Sequence, residues 1–378
     1  MPRFSFPTFI FLLIGALALA GCDLFETGNA ADEPPVTTGV IVANSGNFSD
    51  QNGFLTVYDP ATQQTRDQPN LGAFAHSLTL VDDSLFAITN TFAGGRIEVH
   101  AADSVRAVDQ IVSSATPRTL AIVDAQKAYV TNADFTGNPG TVSIYDRQTG
   151  ALDKAAIEVG FIPEDVAVAG GKAFVANYGS GGAGTTLSVI DPATDQVQRT
   201  IDLGCDGPNE LAVDGEGELV VVCQGKTVYN DDFTEIIEQT NGQVVFVNPD
   251  TETVVERIEL DQQVGSANGT QSASYAPVAE ALHVIDGTDT VLRVDTDQNA
   301  LTDSLAVPDD PALTGLTAVA YDGTTQRLYL GRYAAGPSGA PDVTSAGSVV
   351  VLDRSGQLVT SFVAGPGPGH IVLRRSAQ

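Results

Sequence analysis

The sequence predicts an all-β fold: a seven-bladed β-propeller of four-stranded antiparallel blades, closed by a C-terminal strand that completes the first blade. Three observations carry this. Apolar runs are only four to six residues long and are punctuated by Gly, Pro, Asn and Asp, which leaves no room for a helix-period segment. A unit of four such runs, clearest over residues 161–204, recurs along the chain. The last run, Pro368-Gly369-His370-Ile371-Val372-Leu373, resembles Pro163-Glu164-Asp165-Val166-Ala167-Val168, the kind of run that the first unit lacks.

Composition agrees with one large β domain: 378 residues, 43% hydrophobic, 38 Gly and no Trp. The formal net charge is −29, from 47 acidic and 18 basic residues, a field that repels nucleic acid and anionic membrane and excludes both as partners. Residues 1–21 read as a signal peptide. Arg3 is the only positive charge before the apolar run 9–19, and Leu19-Ala20-Gly21-Cys22 resembles the lipobox of bacterial lipoproteins. Cleavage there leaves Cys22 as a lipidated N-terminus, so the membrane is met only through a lipid. The run is short for a transmembrane helix. Residues 22–35 are acidic and polar and read as a tether, 36–374 as the propeller, and 375–378 as a tail. The expected location is the cell envelope, at the outer membrane; the acidic stretch after Cys22 reads either as an export signal to the surface or as a solvated linker.

Within the propeller the second run of each unit ends alike, as in Ile41-Val42-Ala43-Asn44, Ala87-Ile88-Thr89-Asn90, Tyr129-Val130-Thr131-Asn132 and Phe174-Val175-Ala176-Asn177. The third ends in Asp or Asn, as in Thr56-Val57-Tyr58-Asp59, Ser188-Val189-Ile190-Asp191 and Val350-Val351-Leu352-Asp353; in the second unit His100 stands there. A carboxylate or amide at that point can accept N–H groups of the following turn, a scaffold role. Seven units result, beginning near Val36, Phe74, Thr116, Phe161, Cys205, Ser266 and Asp310.

Tyr129-Val130-Thr131-Asn132 is a literal YVTN, and with Gly140-Thr141-Val142-Ser143-Ile144-Tyr145-Asp146 it resembles the YVTN-repeat, YncE-like family of seven-bladed propellers over most of residues 36–373. The resemblance implies that the first strand of each unit is innermost, and that the segments leading into it share a face with the loops between second and third strands. On that face His76, Arg118, Glu164, Asp165, Asn209, Glu210 and His370 would ring the channel mouth. The loops would add Asn44, Phe48, Asn90, Phe92, Asn132, Phe135, Asn177, Tyr178, Tyr229, Phe233, Arg332 and Tyr333. Amides and rings converging on one face suit a small-molecule site, although the same residues also build turns and pack rims.

His76 and His370 beside carboxylates could hold a metal or move protons, yet no HExxH or G-x-S-x-G motif is present, so neither a catalytic residue nor a metal ligand is assigned. His100 and His283 read as satisfied scaffold histidines. Cys205 precedes an inner run and Cys223 ends the next, with the turn Asp214-Gly215-Glu216-Gly217 between; antiparallel pairing favours a disulfide there over two free thiols.

The function expected is non-enzymatic capture of a small ligand. The resemblance implies one use, surface lipoproteins that bind cobalamin-type corrinoids for a TonB-dependent transporter in the outer membrane; no cofactor is expected. A protein- or polysaccharide-binding adhesin and a propeller lyase are the alternatives.

Overall fold

The computed structural model describes residues 36–113, 115–152, 156–232, 234–266 and 270–376. The signal peptide, Cys22 with the whole tether, and Phe233 lie outside them. Among the described residues regular structure is β, with two 3₁₀ turns at Ser180–Gly182 and Pro277–Ala279.

Seven antiparallel sheets form the blades. Blade 4 shows the pattern: Pro163–Ala169, Lys172–Asn177, Thr186–Asp191 and Gln196–Asp202 pair in sequence order. Its second strand is buried on both faces because its alternate residues serve different neighbours. Phe174 and Ala176 pack with Val221 and Cys223 of blade 5, whereas Ala173 and Val175 pack with Tyr129 and Val142 of blade 3. The outermost strands, such as Gln196–Asp202 and Thr253–Glu259, are mostly exposed and carry charge, which discourages edge-to-edge pairing.

Closure of the ring is as the sequence predicts. Pro368–Arg375 is the inner strand of blade 1 and pairs with Thr37–Asn44, with Val40 opposite Leu373 and Val42 opposite Ile371. At the outer turns, Asp59, Asp146, Asp191, Asn248 and Asp353 accept backbone N–H groups two to four residues on, the scaffold role expected of them. Glycines at the start of third strands let adjacent blades approach: a Cβ on Gly95 or Gly140 would lie 2.2 Å from the Pro117 or Pro163 ring that opens the next blade.

Blade 5 carries a two-stranded insertion, Thr227–Tyr229 with Ile236–Gln239. Its base is stapled by the Cys205–Cys223 disulfide, with Cα atoms 6.2 Å apart. In blade 7 the insertion folds back, Pro341–Asp342 pairing with the end of Arg327–Ala335.

Candidate ligand-binding site

Most of the inner strands share an irregularity near their first residues. Pairing with the second strand slips between Ala75 and Ser77, between Pro117 and Leu120, between Pro163 and Val166, between Pro208 and Glu210, and between His370 and Pro368. A bulge removes residues from the ladder and re-aims their side chains. The skipped residues are His76, Arg118 with Thr119, Glu164 with Asp165, Asn209 and Gly369. Polar groups at and beside these bulges then tie blade to blade. Ser77 donates to the Arg118 carbonyl, Thr119 Oγ1 to the Glu164 carbonyl at 3.1 Å, and Thr317 Oγ1 to the Pro368 carbonyl at 2.6 Å.

These bulges surround an axial cavity of about 190 Å³, whose walls include His76, Glu164, Asp165, Asn209, Glu210 and His370. Six of the seven residues expected at the channel mouth therefore converge there. The seventh, Arg118, forms a bidentate ion pair with Glu164 at 2.7 and 2.9 Å. Thr270 and Gln271 also line the wall, and nothing in the sequence analysis singles them out. They precede the short inner strand Ala273–Ala276, where the unit repeat is weakest. Gln271 accepts from Ile371 N at 2.8 Å and donates to its carbonyl at 3.2 Å, so a side chain mimics a strand partner across the axis.

Burial sets the electrostatics. Asp165 accepts from Val166 N and Leu211 N, at 2.8 and 2.9 Å, yet burial pushes its carboxyl up to about 6. Glu210 accepts from Ser272 N, Ser272 Oγ and Ala273 N, yet burial raises it to about 7. Glu164 is raised by burial as well, with Arg118 opposing. The imidazoles move the other way: burial, Arg118 and His370 hold His76 well below its ordinary value, and burial takes His370 down to about 4. His76 is 3% exposed and has no hydrogen-bond partner among the described residues, and the buried Nδ1 of His370 has none. Acceptors and carboxyls thus face a space that no protein cation fills.

The loop residues divide. Asn44, Asn132 and Asn177 are buried and close their own blades, donating to Thr56, Ser143, and Thr186 with Ser188 respectively. Asn90 donates across blades to the Pro117 carbonyl at 3.0 Å. Phe48, Phe92 and Phe135 are exposed; Phe48 stands edge-on to Phe92 at 4.9 Å, and Arg118 lies 6.0 Å from the Phe135 ring centre. Tyr178 is half-buried against Gly207, and Tyr229 is exposed on the blade-5 insertion. Arg332 and Tyr333 are buried, the former donating to the Pro308 and Leu313 carbonyls. Two expectations for scaffold histidines need correcting. His100 Nδ1 lies 3.2 Å from the Val105 carbonyl but its Nε2 is orphaned, and buried His283 leaves Nδ1 without a partner. Among the described residues no group of three or more His, Cys, Asp or Glu is arranged to hold a metal ion.

The fold and cavity define the class of protein as a seven-bladed β-propeller. No protein-family model matches the chain, and neither does any curated protein. Solved structures do. A selenium-binding protein, described as hypothetical, from Sulfolobus tokodaii matches at 12% identity and a TM-score of 0.65, over 90% of this chain and 94% of its own. A quinoprotein alcohol dehydrogenase-like protein from Bacteroides thetaiotaomicron matches at 11% and 0.64, over 90% and 79%. Hydrazine synthase from Kuenenia stuttgartiensis matches at 18% and 0.61, over 80% and 96%. At such identities the likeness is one of fold, and the differing functions in their names assign none to this chain.

Proposed function

We propose that this is a non-enzymatic binding propeller whose axial cavity captures a small organic cation, such as a primary ammonium compound. The observation that carries the proposal is the pair His76 and His370: both line a cavity shared with Asp165 and Glu210, His76 is buried with no hydrogen-bond partner among the described residues, and the buried Nδ1 of His370 has none. Arg118, the nearest fixed cation, is engaged by Glu164. An ammonium would bring the N–H donors and the positive charge that these groups lack, and burial strengthens each such contact. Binding is favoured over catalysis because the groups that could react are already held. The Ser77 hydroxyl donates to a carbonyl, and both raised carboxyls accept backbone N–H groups.

The volume of about 190 Å³ lies below the roughly 300–1,000 Å³ of ordinary ligand pockets. A corrinoid does not fit it and would have to lie over the loop face, against Phe48, Phe92 and Phe135. In this reading the chain is tethered to the envelope through Cys22 and presents its ligand to an outer-membrane transporter. An adhesin would use the exposed rings on the loops instead. A lyase would need a substrate to displace the backbone donors.

Thermal-shift screening of the mature chain against small amines, the matching alcohols and carboxylates, and cyanocobalamin tests the assignment. Amines are expected to raise Tm in proportion to concentration while alcohols do not. Equal responses to amine and alcohol, or a response to cyanocobalamin alone, would overturn it.

A further inference from the structure

A second cavity, of about 380 Å³, opens between blades 6 and 7, away from the axial residues. Its wall brings together two arginines, Arg293 from the third strand of blade 6 and Arg354 from the outer turn of blade 7. In an acidic chain this is unusual company, and both retain free donors. Elsewhere Arg96, Arg257, Arg332 and Arg374 donate to backbone carbonyls, and Arg118 and Arg199 to carboxylates. Arg293 gives one bond, to Thr302 Oγ1 at 3.0 Å, and Arg354 makes neither a hydrogen bond nor an ion pair among the described residues. The carboxylates on the same wall do not neutralise them directly. Asp353 is held by Ser355 and Gln357 of its own turn and Asp303 by Ser304 N, and neither lies within ion-pair distance of either arginine.

The same wall carries an aromatic pair. His283 and Tyr321 stack with ring centres 4.0 Å apart and planes 24° from parallel. His283 is 3% exposed, its Nδ1 has no partner, and burial with Arg293 nearby takes it down to about 3, so it is a neutral ring at any physiological pH. Both guanidinium charges are near enough to act on the Tyr321 phenol, which burial raises and they lower. Leu305 and Leu328 add apolar wall. A flat apolar surface flanked by two forked cations is the complement of a planar ring bearing a carboxylate.

We propose that the cleft between blades 6 and 7 is a binding site for a small aromatic carboxylate, held at its charged end by Arg293 and Arg354 and at its ring by the His283–Tyr321 stack. The site is independent of the axial cavity: it selects the opposite charge and shares no residue with it.

The test uses benzoate as the probe and benzamide as its neutral counterpart, followed by amide chemical shifts of the mature chain. Benzoate is expected to give saturable shifts centred on strands Ala281–Asp286, Thr290–Asp295 and Arg327–Ala335, with benzamide at least about tenfold weaker. Arg354→Gln changes an exposed side chain on an outer turn, so it leaves the fold intact, and it should weaken benzoate by about tenfold. His283→Phe, which keeps the stack, should retain benzoate binding. No saturable shift, equal affinity for benzamide, or unchanged affinity in Arg354→Gln would each overturn the proposal.

Discussion

Glu210 and Asp165 carry the charge logic of the axial cavity, and their titration is the residue-level consequence. A carboxyl raised from its ordinary 4.5 to about 7 binds its proton more tightly in the folded chain than in the unfolded one. Its contribution to stability is therefore full below about 4.5 and is lost as pH rises through 7. Carbon-detected NMR should place the Glu210 midpoint near 7; a midpoint at the free-glutamate value would refute a desolvated site. The second residue-level prediction concerns Arg118. Its pair with Glu164 is largely buried, with side chains 16% and 10% exposed, so Arg118→Met leaves a carboxylate without its partner and should cost roughly 3 kcal/mol. Chemical denaturation measures this, and a double variant with Glu164→Gln should recover part of the loss. At this scale the sequence was informative about which residues differ between units, because a repeat makes departures visible. It was silent about direction. His76, Glu164 and Asp165 face the axis because of bulges, a backbone property, while Asn44, Asn132 and Asn177 turn inward to close their blades.

At the scale of elements, blade 5 offers the clearest prediction. The Cys205–Cys223 bridge spans 18 residues, for which chain entropy gives about 3 kcal/mol of stabilisation. Reduction, or a Cys205→Ser/Cys223→Ser variant, should lower stability by about that amount and speed amide exchange in the insertion Thr227–Tyr229 and Ile236–Gln239 before the rest of the blade. Uniform exchange across the molecule would show that the bridge supports more than its blade. The bridge was legible because two paired strands bracket a tight turn, which fixes where their ends meet. The Thr270-Gln271 segment was not legible: its role rests on one amide matching the backbone of Ile371, 100 residues away.

For the whole molecule, closure by Pro368–Arg375 was readable from the missing first strand of the first unit, since an open ring would leave an unpaired edge. Deleting residues 368–376 should therefore abolish a single cooperative unfolding transition and promote association through the bared Thr37–Asn44 edge, as read by calorimetry and light scattering. A truncated chain that melts as sharply as the intact one would contradict the closure. The cleft between blades 6 and 7 escaped the sequence because blade packing juxtaposes Arg293 and Arg354, which lie on different repeats in unrelated positions.

The central claim, a cation site on the propeller axis, is tested most directly by calorimetric titration of the mature chain with butylammonium at about pH 8 and about pH 5, either side of the Asp165 and Glu210 transitions. Saturable one-to-one binding at the higher pH, weakened at least about tenfold at the lower and by His76→Phe at either, is the predicted result. Binding that ignores pH and the His76 substitution, or heat no greater than that of butanol, would contradict it.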